Sequence, residues 1–316
     1  MKTTNIPQST TSGTGAGSGS PIRLVEATGI YQEPLIVCTC GEWGSGKSRL
    51  IGTARNLALM PMDAKSKGTI TRTCEQLGYP MPLLPNQDMI RVSNPMLLSR
   101  LPNTCIVIGD AKHKGMTPGQ LQDEMQDIAD TIKIDSPSPI CCRRHFFRWH
   151  VERVKYAVFL MAADPRVKTI GIDPFGQFVE DVSYANYGLT GVIDPKEFGF
   201  APRQDMNTEI RQFLNAINHK NLILTHHIKQ VWKDGKPTNK YKPESQFSGI
   251  GYYANIMVEQ SCDESKPEGE GRYMLRVNDC QANASLIGLD LLSDEGITFT
   301  NLAECVFPDA PDGYFD

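Results

Sequence analysis

The sequence predicts an α/β protein: a mostly parallel sheet with helices on both faces. Three observations predict it. A glycine loop of the phosphate-binding type stands between an apolar strand and a helix. A later apolar strand stops at an aspartate, Asp173. Short buried-type strands and amphipathic helices alternate along the rest of the chain.

The loop is Gly41-Glu42-Trp43-Gly44-Ser45-Gly46-Lys47-Ser48, which meets the pattern G-x-x-x-x-G-K-[ST] at every fixed position. Leu35 to Cys40 before it is an apolar run of strand type. Arg49 to Leu59 after it reads as a helix, with Leu50, Ala54, Leu57 and Ala58 on one face. Glycines let successive backbone N–H groups curl around an anion, and a helix N-terminus adds partial positive charge. Lys47 has the reach for the β- and γ-phosphates, and the Ser48 hydroxyl is a Mg²⁺ ligand in such loops. The expected ligands are therefore ATP and Mg²⁺, with residues 41–48 and Arg49 as the nucleotide-binding set.

Composition is ordinary for a globular protein: 316 residues, 40% hydrophobic and 22% charged. The division expected is a Thr-, Ser- and Gly-rich tail over 1–20, one domain with insertions over 21–305, and a loose end over 306–316. A net charge of −4 supplies no global basic field for nucleic acid and leaves room for a local one. The nine cysteines form no C-x-x-C pair. Cys141 and Cys142, with His145 and His150 downstream, lack the ligand spacing of a zinc site. Reduced thiols in a cytoplasmic protein are the reading that follows. No apolar run approaches membrane-spanning length, and the N-terminus has no signal-peptide pattern.

In chain order, residues 22–33 read as a lead-in strand or cover. One helix is expected at 69–77, among the breakers Pro61, Gly68, Gly78, Pro80, Pro82 and Pro85. Residues 104–110 read as a strand ending at Asp110, 120–131 as a helix, and 131–135 as a short strand. A long helix follows over 143–163, with Phe147, Val151, Val154 and Val158 inward and Arg144, Arg148 and Lys155 on a solvated face. The strand over 167–173 ends at Asp173. A strand-end aspartate beside a phosphate loop holds Mg²⁺ through water, and the same residue type also caps strands in any α/β protein. Residues 174–205 show little period and read as a long functional loop. A helix at 204–218 and a strand at 221–226 come next. The segment 228–242 is a lysine-rich hairpin with the turn Asp234-Gly235. Strands at 253–259 and 272–277, joined by an acidic turn, and a short strand at 286–292 complete the chain.

Over residues 35 to 288 this order resembles the RecA-like ATPases, and most of all the compact phage members linked to recombination or single-strand annealing. Asp110-Ala111-Lys112-His113 resembles that family's strand-end Asp-Ala-Glu-His. Asp173 stands at the family's metal aspartate, and His226 at its polar sensor of the γ-phosphate. The resemblance implies a catalytic set of Lys47, Asp173, Asp110 and His226. It also implies DNA-binding loops at 174–203 and 229–242. In the second, Lys229, Lys233, Lys236 and Lys240 would neutralise phosphates while Trp232 and Tyr241 stack on bases of a single strand. A solvated surface hairpin is the alternative for that stretch.

Two positions depart from the family. Lys112 stands where it has a catalytic glutamate, so base work would fall to Asp110, Glu180 or Asp181, or hydrolysis would be slow. Arg276 is the nearest residue to the family's basic finger acting on a neighbour's nucleotide. The implied protein is an ATPase acting on DNA as a homo-oligomer, ring or filament, in the host cytoplasm if phage-encoded. Three alternatives stand beside it: a packaging or helicase-type motor, a nucleotide-gated DNA-binding protein with little turnover, and a small-molecule kinase.

Overall fold

A computed structural model describes residues 33–85, 139–187, 201–233, 236–243, 247, 249–267, 271–291 and 297–315. Its strands are β1 (Ile36–Gly41), β2 (Leu57–Pro61), β3 (Thr169–Asp173), β4 (Asn221–His226), β5 (Ile228–Lys233), β6 (Lys236–Pro243), β7 (Ile256–Cys262), β8 (Tyr273–Cys280) and β9 (Asp290–Leu291). Its helices are α1 (Lys47–Gly52), α2 (Ala64–Leu77), α3 (Pro139–Ala163), α4 (Phe175–Tyr187), α5 (Ala201–Ile217), α6 (Ile250–Tyr253) and α7 (Phe299–Val306). Seven strands form one sheet in the order β2-β3-β4-β1-β7-β8-β9. The first five are parallel, and β8 and β9 add antiparallel at one edge. β5 and β6 form a separate antiparallel hairpin. No helix among the described residues is long and apolar enough to cross a membrane.

Every residue of β1, β2, β3 and β4 is buried, as parallel strands covered on both faces must be. The two faces separate by the strand period of two. Ile36, Cys38, Ala58, Met60, Leu222 and Leu224 join a core with α3, α4 and α5. Val37, Leu57, Leu59, Ile223 and Val258 join the opposite core with Leu50 and Ile51 of α1, Ile70 of α2 and Phe299 of α7. The fold is thus the expected mostly parallel α/β sheet with helices on both faces.

Several elements differ from the sequence expectation. The single helix over 49–59 is two elements: α1 stops at Gly52, and Leu57 opens β2. Between them Asn56 takes a left-handed φ of 48°. Helical spacing of Leu50, Ala54, Leu57 and Ala58 cannot be told from a short apolar strand by period alone. The long loop over 174–205 is largely helical, since α4 covers 175–187 and α5 begins at 201. Phe175, Phe178, Val179, Val182 and Ala185 are buried at helical spacing, a signal masked by the many Gly, Tyr and Asn around them. α2 starts at Ala64, five residues before its expected start, because Asp63 caps it through Lys65 N and Ser66 N. Arg148 and Lys155 lie on no simple solvated face: both bond Glu209 of α5. At the chain end α7 is an unforeseen helix. The expected loose end contributes Phe307 and Phe315 to the second core, their rings stacked at 5.7 Å. The 1–20 tail, the strand at 104–110, the elements over 120–135 and the Asp234-Gly235 turn lie outside the described residues.

Candidate nucleotide site

β1 ends at Gly41, and the chain doubles back into α1 at Lys47. Gly44 and Gly46 hold φ of +79° and +100°, the left-handed region that a Cβ disfavours. Gly41 is required for space instead. A Cβ there would lie 2.4 Å from Ser45 Oγ and 2.5 Å from the Gln260 carbonyl oxygen. These glycines curl the loop over the carboxyl ends of the parallel strands.

Lys47 is buried. Its Nζ donates to Gly41 O at 2.7 Å and Glu42 O at 2.6 Å. Burial lowers its pKa, while Asp173, Cys40 and Glu42 push it back up. Ser48 Oγ donates to Asp173 Oδ2 at 2.6 Å. Thr225 Oγ1, at the end of β4, donates to Asp173 Oδ1. The Asp173 main-chain oxygen accepts from Met62 N at 2.7 Å, just past β2. One buried carboxylate therefore sits among α1, β2, β3 and β4, because parallel register brings those strand ends level.

Above this carboxylate lies a cleft of about 330 Å³. Trp43, Gly44, Ser45, Gly46, Lys47, Ser48 and Arg49 line one side, and Asp63, Lys65, Ser66, Thr69, Asp173, Pro174, His227 and Tyr273 complete it. The structure thus brings together most of the expected nucleotide set with Asp173; Gly41 and Glu42 lie outside the lining but hold Lys47 through their carbonyls. Trp43 is 73% exposed and stacks on His227 with ring centroids 5.1 Å apart. Lys65 Nζ lies 5.7 Å from the Trp43 ring centroid, and the Arg49 guanidinium 5.3 Å from that of Tyr273.

Other expected residues fall elsewhere. His226 is fully buried, with its ring edge-on to Phe175 at 5.5 Å, and does not line the cleft. The strand ends at His226, and the next residue, His227, emerges at the cleft. Asp181 is also buried away from the cleft. It accepts from Gln177 Nε2 at 3.0 Å and sits 3.4 Å from His150 Nε2. Glu180 is absent from the lining as well, and Asp110 and Lys112 lie outside the described residues. Arg276 is on β8, 3.9 Å from Asp290, and does not line the cleft.

Among the cleft residues that escaped the sequence reading are Asp63, Lys65, His227 and Tyr273. A signal for the first two existed. Asp63-Ala64-Lys65 follows the apolar run Leu57–Pro61 and repeats the tripeptide Asp110-Ala111-Lys112. Reading 49–59 as one helix hid it. Asp63 Oδ1 accepts from Lys65 N at 2.9 Å, Ser66 N at 2.6 Å and Ser66 Oγ at 2.7 Å.

The lysine-rich hairpin begins at Ile228, one residue past His227. Its register sets Lys229 opposite Lys242, Gln230 opposite Tyr241, Trp232 opposite Pro237 and Lys233 opposite Lys236, with a shift between Gln230 and Trp232. Lys240 lies on the same return strand, β6.

No protein-family model matches the chain, and no curated protein matches it. Among solved structures, a KaiC-like protein from the hyperthermophilic archaeon Pyrococcus horikoshii aligns with 84% of this chain and 89% of its own, at 11% identity and a TM-score of 0.34. At that likeness nothing is carried over from it to the residues here.

Proposed function

We propose that the chain binds ATP with Mg²⁺ in this cleft, hydrolyses it, and acts on single-stranded DNA as a homo-oligomer. The observation that carries the nucleotide half is the Ser48–Asp173 hydrogen bond of 2.6 Å, which joins the loop to a strand end 125 residues away. A hydroxyl and a buried carboxylate are hard oxygen donors, and they fit Mg²⁺ beside a phosphate loop. Ser48 and Asp173 would hold the ion, which supplies charge neutralisation on the phosphates. Lys47 and the loop amides bind the phosphate chain. Tyr273 and Arg49 close the cleft on the α1 side.

Asp63 lines the cleft and can take the base role that the resemblance implied for Asp110, which lies outside the described residues. Its Oδ1 receives all three capping bonds, which leaves Oδ2 as the acceptor for a water proton.

Like charges directly opposite in a hairpin destabilise it. Lys229 against Lys242 and Lys233 against Lys236 form two such pairs, and a polyanion relieves both. That supports DNA over a bare solvated hairpin. ATP turnover measured with and without single-stranded DNA tests the reading. Slow basal hydrolysis that DNA stimulates several-fold, and that Lys47→Ala abolishes, is the expected result. Turnover indifferent to DNA removes the DNA half; failure to bind ATP removes both halves.

A further inference from the structure

We infer that Lys65 supplies, from within the same chain, the positive charge that faces the terminal phosphate. This rests on the triphosphate reading of the cleft and assigns its reacting end.

Three lysine or arginine side chains line the cleft: Lys47, Arg49 and Lys65. Lys47 commits hydrogen bonds to Gly41 O and Glu42 O. The Arg49 guanidinium lies over the Tyr273 ring. Lys65 makes no ion pair with any described residue, and its Nζ stands 5.7 Å from the Trp43 ring centroid. Trp43 stacks on His227, so its ring offers the exposed lysine a face to lie against at the cleft.

Position decides which phosphate Lys65 meets. It is two residues from Asp63, on one turn whose geometry Asp63 sets by accepting from Lys65 N. Asp63 and Lys65 both line the cleft, and the ammonium is assigned to the end of the phosphate chain where Asp63 would take the water proton. Charge builds on the terminal phosphoryl oxygens as water attacks, and a preorganised cation there acts mainly in the transition state. Arg276, the residue in the family's place for a cation acting across a subunit boundary, is paired toward Asp290 on β8.

The full chain carrying Lys65→Ala or Lys65→Arg tests this, with Mg²⁺·ADP and Mg²⁺·ATP as probes and turnover measured alongside. The lysine is exposed, so the fold survives either change. For Lys65→Ala, ADP affinity stays within about two-fold, ATP affinity falls about ten-fold, and turnover falls about a hundred-fold. Lys65→Arg recovers a large part of the turnover, which a merely structural role would not predict. Equal losses for ADP and ATP would overturn the inference, since Lys65 would then be a general attractor of phosphate. Unchanged turnover in Lys65→Ala, with nucleotide binding lost in Lys47→Ala, would overturn it while leaving the nucleotide site standing. A wild-type chain that binds neither nucleotide would remove the site and the inference together.

Discussion

Gly171 of β3 and Ile51 of α1 meet so closely that a Cβ on Gly171 would lie 2.5 Å from Ile51 Cγ2. The missing side chain is what lets α1 settle on the sheet and holds the phosphate loop over Asp173. Gly171→Ala should cost about 1–3 kcal/mol, as overpacking does, because Ile51 is branched at the point of contact and has no flexible end to move. Thermal melts measure it. In the Ile51→Ala background the same change should cost much less, which identifies the contact as the cause.

Thr225 acts on the site through Asp173. Its hydroxyl donates to Oδ1 while Ser48 takes Oδ2, so the carboxylate is held at both oxygens. Thr225→Val keeps the volume and the strand preference but frees one oxygen. The Mg²⁺ concentration needed for half-maximal ATP binding should rise about ten-fold, as with other partners that orient a metal ligand. An unchanged Mg²⁺ requirement would show that Thr225 only fills space.

Glu209 ties three helices together. It accepts from Arg148 Nη1 at 2.6 Å, Asn186 Nδ2 at 3.0 Å and Lys155 Nζ at 3.4 Å. Burial raises its pKa, but the bonds from Asn186 and Arg148 and the charges of Arg148 and Lys155 outweigh that and leave it lowered. A lowered folded-state pKa means stability that is present above the unfolded value and is lost as pH falls through the folded one. Glu209→Gln should therefore cost about 1–2 kcal/mol at neutral pH, with the deficit shrinking below about pH 4. Denaturant unfolding at several pH values checks both the size and the trend.

The hairpin separates stability from binding. Lys236→Glu combined with Lys242→Glu would turn both like-charge pairs into attractive ones. The melting temperature should hold or rise, while affinity for single-stranded DNA falls and its salt dependence becomes shallower. Retained DNA affinity in that variant would move the DNA contact off this hairpin.

Much of the site was legible because its signals are local. The loop Gly41 to Ser48 is contiguous, and Asp173 closes an apolar strand of five residues. What sequence could not show was which residues past strand ends reach the same cleft. Asp63 was hidden because Leu57 and Ala58 fit a helical face as well as a strand. His226 and His227 differ by one position, and only the strand's end point decides which enters the core and which stacks on Trp43. Tyr273 is brought beside Gly46 by the antiparallel pairing of β8 with β7, a long-range contact with no local signature. The alternation of residues between two cores was likewise implicit in β1 and β4, whose uniform burial conceals which face each side chain takes.

Calorimetric titration of ATP into the full chain, with and without Mg²⁺, tests the central claim most directly. Saturable binding that Mg²⁺ strengthens about ten-fold or more, with that gain lost in Asp173→Asn and binding lost in Lys47→Ala, is the predicted result. Binding of equal strength in the wild type and a folded Lys47→Ala, or binding indifferent to Mg²⁺, would contradict it.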